Sequence, residues 1–248
     1  MAAARTFTAC AAVALYVLLV GPPAMAWTLL TKRPKPMYTA GWLGVRLGFL
    51  LTGIRVRIEG AEHMRPGAVY ACNHASNLEP PAVFLALRRY FPHVRVIYKA
   101  EMRRIPVLTQ VFDTAGFVPI ERANRGQSWP AVERAAQALS EGNAFFIFPE
   151  GTRSRTGQLL PFKKGGFVMA IRAQAPVVPV AVLGGRQSMR KGSALIWPAT
   201  IRVCFLPPVP STGLTIDDRD ALVADVRAAI EAKLLERPNF DPVEIPGG

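Results

Sequence analysis

The stretch Ala68-Val69-Tyr70-Ala71-Cys72-Asn73-His74-Ala75-Ser76-Asn77-Leu78-Glu79-Pro80-Pro81 decides the reading of this chain. Its first five residues are a continuous apolar run of strand length, as expected for a strand covered on both faces of a sheet. A histidine leaves the end of that run, and a carboxylate follows five positions later, just before a helical segment at 81–90. Strand ends in α/β sheets are where sites form. A histidine bonded to a carboxylate through one ring nitrogen is held in one tautomer and becomes a better base. It can then deprotonate a hydroxyl for attack on an acyl carbonyl. The same residues also read as a plain turn, in which Asn73, Ser76 and Asn77 serve local hydrogen bonds and His74 is merely exposed.

The pattern extends in both directions. Strand-like runs at 54–58, 68–72, 94–98, 117–120, 144–148, 177–183 and 201–206 alternate with helical segments at 81–90, 107–114, 128–139, 166–173 and 217–235. In the last segment Leu222, Val226, Ile230 and Leu234 form one apolar face. Asp217, Asp218 and Asp220 stand at its start, Lys233 and Arg237 near its end, and Pro238 follows. This alternation predicts an α/β fold with a central, mostly buried mixed sheet flanked by helices. Pro179, inside an apolar run, is expected at a bulge or strand edge.

Further chemistry-bearing pieces also sit at strand ends. Phe148-Pro149-Glu150-Gly151-Thr152-Arg153-Ser154 follows the run at 144–148. There Gly151 lets the backbone approach a ligand, Thr152 can donate a hydrogen bond and Arg153 offers a charged fork, a set that suits a phosphate. A polar turn with a solvated arginine is the plainer reading. Gly116-Phe117-Val118-Pro119-Ile120-Glu121-Arg122 is another strand ending in arginine, and Lys163-Lys164-Gly165-Gly166 stands at a helix start, where anions are welcome. For the two lysines a solvated surface pair is the simpler expectation. Neither a Gly-x-Ser-x-Gly elbow nor a complete phosphate-binding loop is present, which argues against a serine hydrolase and a P-loop enzyme.

Composition narrows the partner. The chain of 248 residues is half hydrophobic yet carries a formal net charge of +13. A basic chain suits nucleic acid or an anionic membrane surface. The apolar excess favours anionic membrane lipid, and the scattered basic residues form no tail of the kind that binds nucleic acid. Cys10, Cys72 and Cys204 are far apart and odd in number, so neither a disulfide framework nor a zinc site is expected.

From Thr6 to Thr31 no charge occurs, but Pro22-Pro23 interrupts the run. A helix over 6–21 is about 24 Å long at ~1.5 Å per residue, short of the ~30 Å hydrocarbon core. The segment therefore spans with a proline kink, dips into one leaflet, or is a signal peptide cleaved after Ala24-Met25-Ala26. Lys32, Arg33 and Lys35 favour a retained anchor with the following domain on the cytoplasmic side of the cytoplasmic membrane. A second apolar stretch at 38–54, containing only Arg46, reads equally as an interfacial helix and as a core helix. The division that follows is 1–54 for membrane-associated helices, 55–240 for a catalytic domain and 241–248 for a loose tail.

Together these pieces resemble the glycerolipid acyltransferases, above all the bacterial 1-acyl-glycerol-3-phosphate (lysophosphatidate) acyltransferases. That family carries Asn-His-x-x-x-x-Asp, Gly-x-x-x-Ile-x-Arg, Phe-Pro-Glu-Gly-Thr-Arg-Ser and Val-Pro-Val blocks in this order. The corresponding residues here are 73–79, 116–122, 148–154 and 178–180, and the resemblance runs from about residue 55 to 208. It implies that His74 is the general base and Glu79 its orienting carboxylate. It also implies that Arg122, Gly151, Thr152 and Arg153 hold the acceptor phosphate, with Glu150 in the same block. The usual aspartate is a glutamate here, one methylene longer. The implied reaction moves a fatty acyl chain from acyl-CoA or acyl carrier protein to the sn-2 hydroxyl of a lysophospholipid, lysophosphatidate first, with no metal or cofactor. Another lysophospholipid, glycerol-3-phosphate or a lyso-aminolipid are the alternative acceptors. A basic membrane-surface protein that kept the fold and lost activity is the alternative outside enzymology, favoured only by the aspartate-to-glutamate change.

Overall fold

The computed structural model describes residues 2–104, 106–120 and 125–236. Helix α1 (Ala2–Thr31) turns back as helix α2 (Lys35–Thr52), which leads into strands β1 (Arg55–Glu59) and β2 (Val69–Cys72). Then come α3 (Glu79–Ala86), β3 (Val94–Lys99), α4 (Pro106–Thr114), β4 (Val118–Ile120), α5 (Arg125–Ser140) and β5 (Ala144–Ile147). Helix α6 (Gly165–Arg172), β6 (Val177–Leu183), the single turn α7 (Gly185–Ser188), β7 (Thr200–Phe205) and α8 (Arg219–Leu235) complete the described chain. A strand or helix stands at each place the sequence pattern predicts one. The expected tail at 241–248, with Arg237 and Pro238 before it, lies outside the described residues.

Among the described residues the seven strands form one mixed sheet in the order β1-β7-β6-β2-β5-β3-β4. All neighbouring pairs are parallel except β6 with β7. The continuous apolar runs are explained by cover on both faces. Val69, Ala71, Phe145, Ile147, Val177 and Ala181 face one core with α5, α6 and α8. Their alternates Tyr70, Cys72, Ala144, Phe146, Val178 and Val180 face a second core with α2 and α3. Period-two alternation is present, but both halves are apolar because neither face is wet. Burying a side chain of the size of Phe145 or Ile201 stabilises the fold by roughly 1.5–3 kcal/mol, so these strands are the rigid part of the molecule.

Pro179 lies in β6 between β2 and β7. Its carbonyl accepts from Leu206 on the β7 side, and a residue's N–H and C=O point to the same side of a strand. The missing N–H therefore faces the gap where Pro207-Pro208 interrupts the pairing, between the β6–β7 ladder and the isolated Val177–Val209 bridge. This is the bulge-like place expected of it.

The amino terminus departs from expectation. The helix does not stop at Gly21 but runs through Pro22 and Pro23 for 30 residues, about 45 Å at ~1.5 Å per residue. Packing outweighs local propensity here. Helix α2 supports α1 on both sides of the prolines: Tyr16 donates to the Ala40 carbonyl at 2.9 Å, while Pro23, Ala24 and Trp27 share a shallow groove with Lys35, Thr39 and Leu43. Gly44 and Gly48 lack the side chains that would press on Tyr16 and Val13, so the helices approach closely. Helix α2 packs on the domain through one face, as the core-helix reading expects. Tyr38, Phe49 and the following Ile54 are buried in the second core, whereas Leu43, Arg46 and Leu50 are exposed.

Helix α1 also touches the domain built on the sheet. The Ile196 N–H donates to Thr6 Oγ1 at 3.0 Å, and near the other end Thr28 is fully buried while the helix contacts α4. The outer face of α1 carries exposed Phe7, Leu15, Leu18, Leu19 and Leu30. The helix is long and apolar enough to cross a bilayer, yet it lies along the domain.

Candidate active site

His74 and Glu150 are adjacent because β2 and β5 are neighbours in register, with Ala71 opposite Ile147. Three residues on from that pair, past the ends of both strands, the His74 N–H donates to Glu150 Oε1 at 2.6 Å. On the other side of β2 the Asn73 side chain imitates a strand residue, donating to the Val182 carbonyl at 3.0 Å and accepting from its N–H at 2.6 Å. The His74 carbonyl accepts from the Ser154 N–H at 2.7 Å. The histidine backbone is thus held from three directions although it lies past the end of its strand.

The turn after His74 brings the carboxylate round. Ser76 Oγ accepts from the Leu78 N–H at 3.3 Å, and Glu79 opens α3, where a negative charge is favourable and the prolines that follow lack an N–H that would find no partner. Glu79 Oε2 lies 2.9 Å from His74 Nδ1 and accepts from the Ala75 N–H at 2.7 Å. A carboxylate in this position can only accept, which favours the tautomer with the proton on Nδ1 and leaves Nε2 directed away from the pair. Glu79 is 1 % exposed, whereas the His74 side chain retains 16 %. The Phe148 ring lies 4.4 Å from the imidazole, centroid to centroid. Ser76 does make the local bond of a turn, whereas the Asn73 side chain bonds across the sheet to Val182, and His74 is not merely exposed: the turn seats a histidine–carboxylate pair.

His74 lines a half-open cavity of about 840 Å³. Its walls are apolar, with Val96, Ile120, Val132, Phe146 and Val168 among them, and Gly151, Lys163, Lys164 and Arg219 add polar character. Gly151 has φ +69°, and a Cβ there would lie 2.7 Å from Lys163 Cε. Glycine is needed both for the left-handed backbone and for the close approach. The lysines are exposed, as expected of a surface pair, and both also border the cavity, where Lys164 pairs with Asp220.

Of the other residues named from sequence, Thr152 and Arg153 lie on the loop beside the cavity but do not line it. Lys191, which the sequence reading did not single out, ties this loop down, donating to the Arg153 carbonyl at 2.8 Å and Thr152 Oγ1 at 3.3 Å. Glu150 is 4 % exposed, and main-chain N–H groups of His74 and Leu160 occupy its two oxygens. Burial pushes its carboxyl up, against the two hydrogen bonds that favour the charged form. Arg122 lies outside the described residues, two positions beyond Ile120 of the cavity wall. Cys72, beside the pair in sequence, is no candidate nucleophile: burial, aided by the charge of Glu79, raises its thiol well above the ordinary range. A histidine held through Nδ1 by a buried carboxylate, next to an apolar cavity with a cationic rim, has the geometry suited to proton abstraction from a hydroxyl whose substrate carries a long apolar chain and an anionic group.

Known proteins give the same assignment. Residues 55–183 match the family model described as acyltransferase. The 1-acyl-sn-glycerol-3-phosphate acyltransferase of Limnanthes douglasii is 34% identical over 212 residues, covering 81% of this chain and 73% of that protein. The human 1-acyl-sn-glycerol-3-phosphate acyltransferase alpha is 33% identical over 207 residues, with 80% and 72% covered. The crystal structure of the 1-acyl-sn-glycerophosphate acyltransferase PlsC of Thermotoga maritima shares the fold, with a TM-score of 0.77 at 23% identity over 95% of this chain and 97% of that one. The chain belongs to the acyltransferase family that contains these 1-acyl-sn-glycerol-3-phosphate acyltransferases.

Proposed function

We propose that the protein transfers a fatty acyl chain from acyl-CoA or acyl carrier protein to the sn-2 hydroxyl of lysophosphatidate, giving phosphatidate, with His74 as general base. The observation that carries this reading is the 2.9 Å pair of His74 Nδ1 and buried Glu79 at the wall of an apolar cavity. His74 Nε2 takes the hydroxyl proton as the oxygen attacks the thioester carbonyl. Glu79 holds the imidazole in the required tautomer and balances the charge of the imidazolium. The tetrahedral intermediate collapses, the C–S bond breaks, and the departing sulfur takes the proton back from His74. The products are an ester and a free thiol. Neither a covalent acyl-enzyme nor a metal enters the scheme.

The apolar walls suit an acyl chain, and the cationic rim suits phosphate. Gly165 and Gly166 line the cavity and open α6, where first-turn N–H groups have no intrahelical acceptor. With Lys163 and Lys164 they are the donors offered to the thioester oxyanion or to a donor phosphate. The Gly151-Thr152-Arg153 loop, braced by Lys191, is the seat for the acceptor phosphate, with Arg122 as the expected second arginine.

The same reading puts the enzyme on the cytoplasmic face of the cytoplasmic membrane. Because α1 is bonded to the domain at Thr6 and also contacts α4, dipping into one leaflet fits better than spanning. Its exposed leucines and Phe7 enter the acyl region, and the net charge of +13 suits anionic headgroups.

The test is a panel of acceptors assayed with purified protein, labelled acyl-CoA and acyl carrier protein thioester. Lysophosphatidate is expected to be the preferred acceptor, and His74→Ala to lower turnover by roughly 10²–10⁴-fold, the usual worth of general base catalysis. An active His74→Ala protein overturns the mechanism, and a preferred acceptor without phosphate overturns the substrate.

A further inference from the structure

Glu79 is enclosed on the side away from His74 by the start of α7. Its carboxylate is pinned by two donors, His74 Nδ1 and the Ala75 N–H, and shares Oε2 between them. Strand β6 runs beside β2, Asn73 ties the two strand ends together, and the chain then passes through Gly184 into Gly185. A Cβ built on Gly185 would lie 2.6 Å from Glu79 Oε1, 2.8 Å from its Cγ and 3.1 Å from its Cδ. These are contacts with a side chain held at its far end, at a site 1 % exposed, so the glutamate has no open space into which to retreat. The backbone of α7 cannot withdraw freely either. Gly184 has φ +87°, its own Cβ would lie 2.1 Å from the Thr200 carbonyl oxygen, and the Gly184 carbonyl accepts from Ser188 Oγ at 2.8 Å.

We propose that Gly185 is a positioning residue of the acyl-transfer site: the slot left by its missing side chain accommodates the longer carboxylate of Glu79 and sets its reach to His74. Gly185 touches no reacting atom and acts through Glu79. The proposal rests on the reading of His74 and Glu79 as the working pair. It explains how a glutamate fills a place where the matching motif carries aspartate, since the additional methylene occupies volume that any side chain at 185 would take.

The test is a double-mutant cycle on the full chain, with Gly185→Ala, Glu79→Asp, their combination, and Gly184→Ala as comparator. Turnover, the KM of both substrates and thermal midpoints are measured for each. Gly185→Ala is expected to lower kcat by roughly 10²-fold, the scale set by a misplaced orienting carboxylate, with KM for both substrates within about threefold, because the lost interaction belongs to the transition state. Adding Glu79→Asp to Gly185→Ala shortens the carboxylate and is expected to restore kcat by roughly tenfold or more, a coupling of the size found for residues in contact. Gly184→Ala, whose Cβ meets Thr200 rather than Glu79, is not to be rescued by Glu79→Asp.

If Gly185→Ala alone fails to fold while the combination folds, the contact is equally supported. Wild-type turnover in Gly185→Ala overturns the proposal, as does a combination no better folded and no more active than Gly185→Ala, or equal rescue of Gly184→Ala. Failure of the underlying pair looks different: His74→Ala then retains activity, whatever Gly185→Ala does.

Discussion

Glu79→Gln separates the charge of the carboxylate from its geometry. In the native site Oε2 receives two donors, His74 Nδ1 at 2.9 Å and the Ala75 N–H at 2.7 Å. A glutamine has almost the same shape, and its amide has two possible orientations. With the NH2 group toward His74, that group would meet the Ala75 N–H donor to donor. The carbonyl oxygen is therefore fixed in the Oε2 position, the proton stays on Nδ1, and Nε2 remains the base. What is lost is the countercharge for the imidazolium formed as the hydroxyl is deprotonated. A hydrogen bond involving a charged group contributes about 1.5–3 kcal/mol and a neutral one about 0.5–1.5 kcal/mol. The difference, about 1–2 kcal/mol, corresponds to roughly a 5- to 30-fold lower kcat at ~1.4 kcal/mol per decade. A flipped amide would instead reverse the tautomer, and losses near 10⁴-fold accompany that change. The assay is kcat at saturating lysophosphatidate and acyl-CoA, with thermal midpoints to confirm folding. Wild-type turnover would refute the role of the countercharge. A loss near 10⁴-fold would refute the orienting role of the Ala75 N–H.

Three further outcomes follow from the same geometry. Arg153→Ala and Lys191→Ala are each expected to raise the KM for lysophosphatidate by roughly ten- to a hundredfold, from charge-assisted bonds of about 1.5–3 kcal/mol, and to erode preference over a neutral monoacylglycerol. Unchanged discrimination in both variants moves the phosphate site toward Lys163 and Lys164. Glu150→Gln replaces two acceptors by one where two main-chain N–H groups are bound; leaving one buried donor unmet costs about 1–3 kcal/mol, read as a lower thermal midpoint together with lower kcat. Leu18 and Leu30 are 71% and 84% exposed on α1, so changing both to Glu is expected to weaken binding to anionic vesicles at least tenfold, from roughly 1.5–3 kcal/mol per buried leucine, without changing the thermal midpoint. A mature protein beginning at Trp27 by mass spectrometry would contradict the retained helix.

The parts of this molecule that were legible in the sequence are those governed by short-range pattern. The strand runs read correctly because a sheet covered on both faces requires unbroken apolar residues, and α8 because its apolar face recurs at helical spacing. His74 and Glu79 could be paired because only a turn separates them. Contacts made across the sheet were not legible. Nothing in the spacing of Glu150 shows that its carboxylate serves the His74 backbone, since that depends on β2 lying beside β5. Lys191 and Gly185 are likewise distant in sequence from the groups they serve. The length of α1 was misjudged for a related reason: propensity at Pro22-Pro23 favours a break, and the packing of α2 that outweighs it is tertiary.

The polar groups buried around His74 also explain why the site lies past the end of β2 rather than within it. A ladder partner fixes a strand residue, but its side chain then points into a core. Beyond the strand a side chain can face a cavity, at the cost of losing the ladder. Here three substitutes restore the lost pairing: the Asn73 amide toward β6, the Glu150 carboxylate from the β5 side, and the Ser154 N–H on the His74 carbonyl. The histidine therefore has the fixity of a strand residue and the access of a loop residue, which is what preorganised catalysis requires. The arrangement also sorts charge. The carboxylates of Glu79 and Glu150 are buried away from the cavity, while Lys163, Lys164 and Arg219 line it. The rim of the cavity thus carries cations, partly balanced by Asp220, which pairs with Lys164 and Arg219, while Glu79 reaches the cavity only through the imidazole of His74.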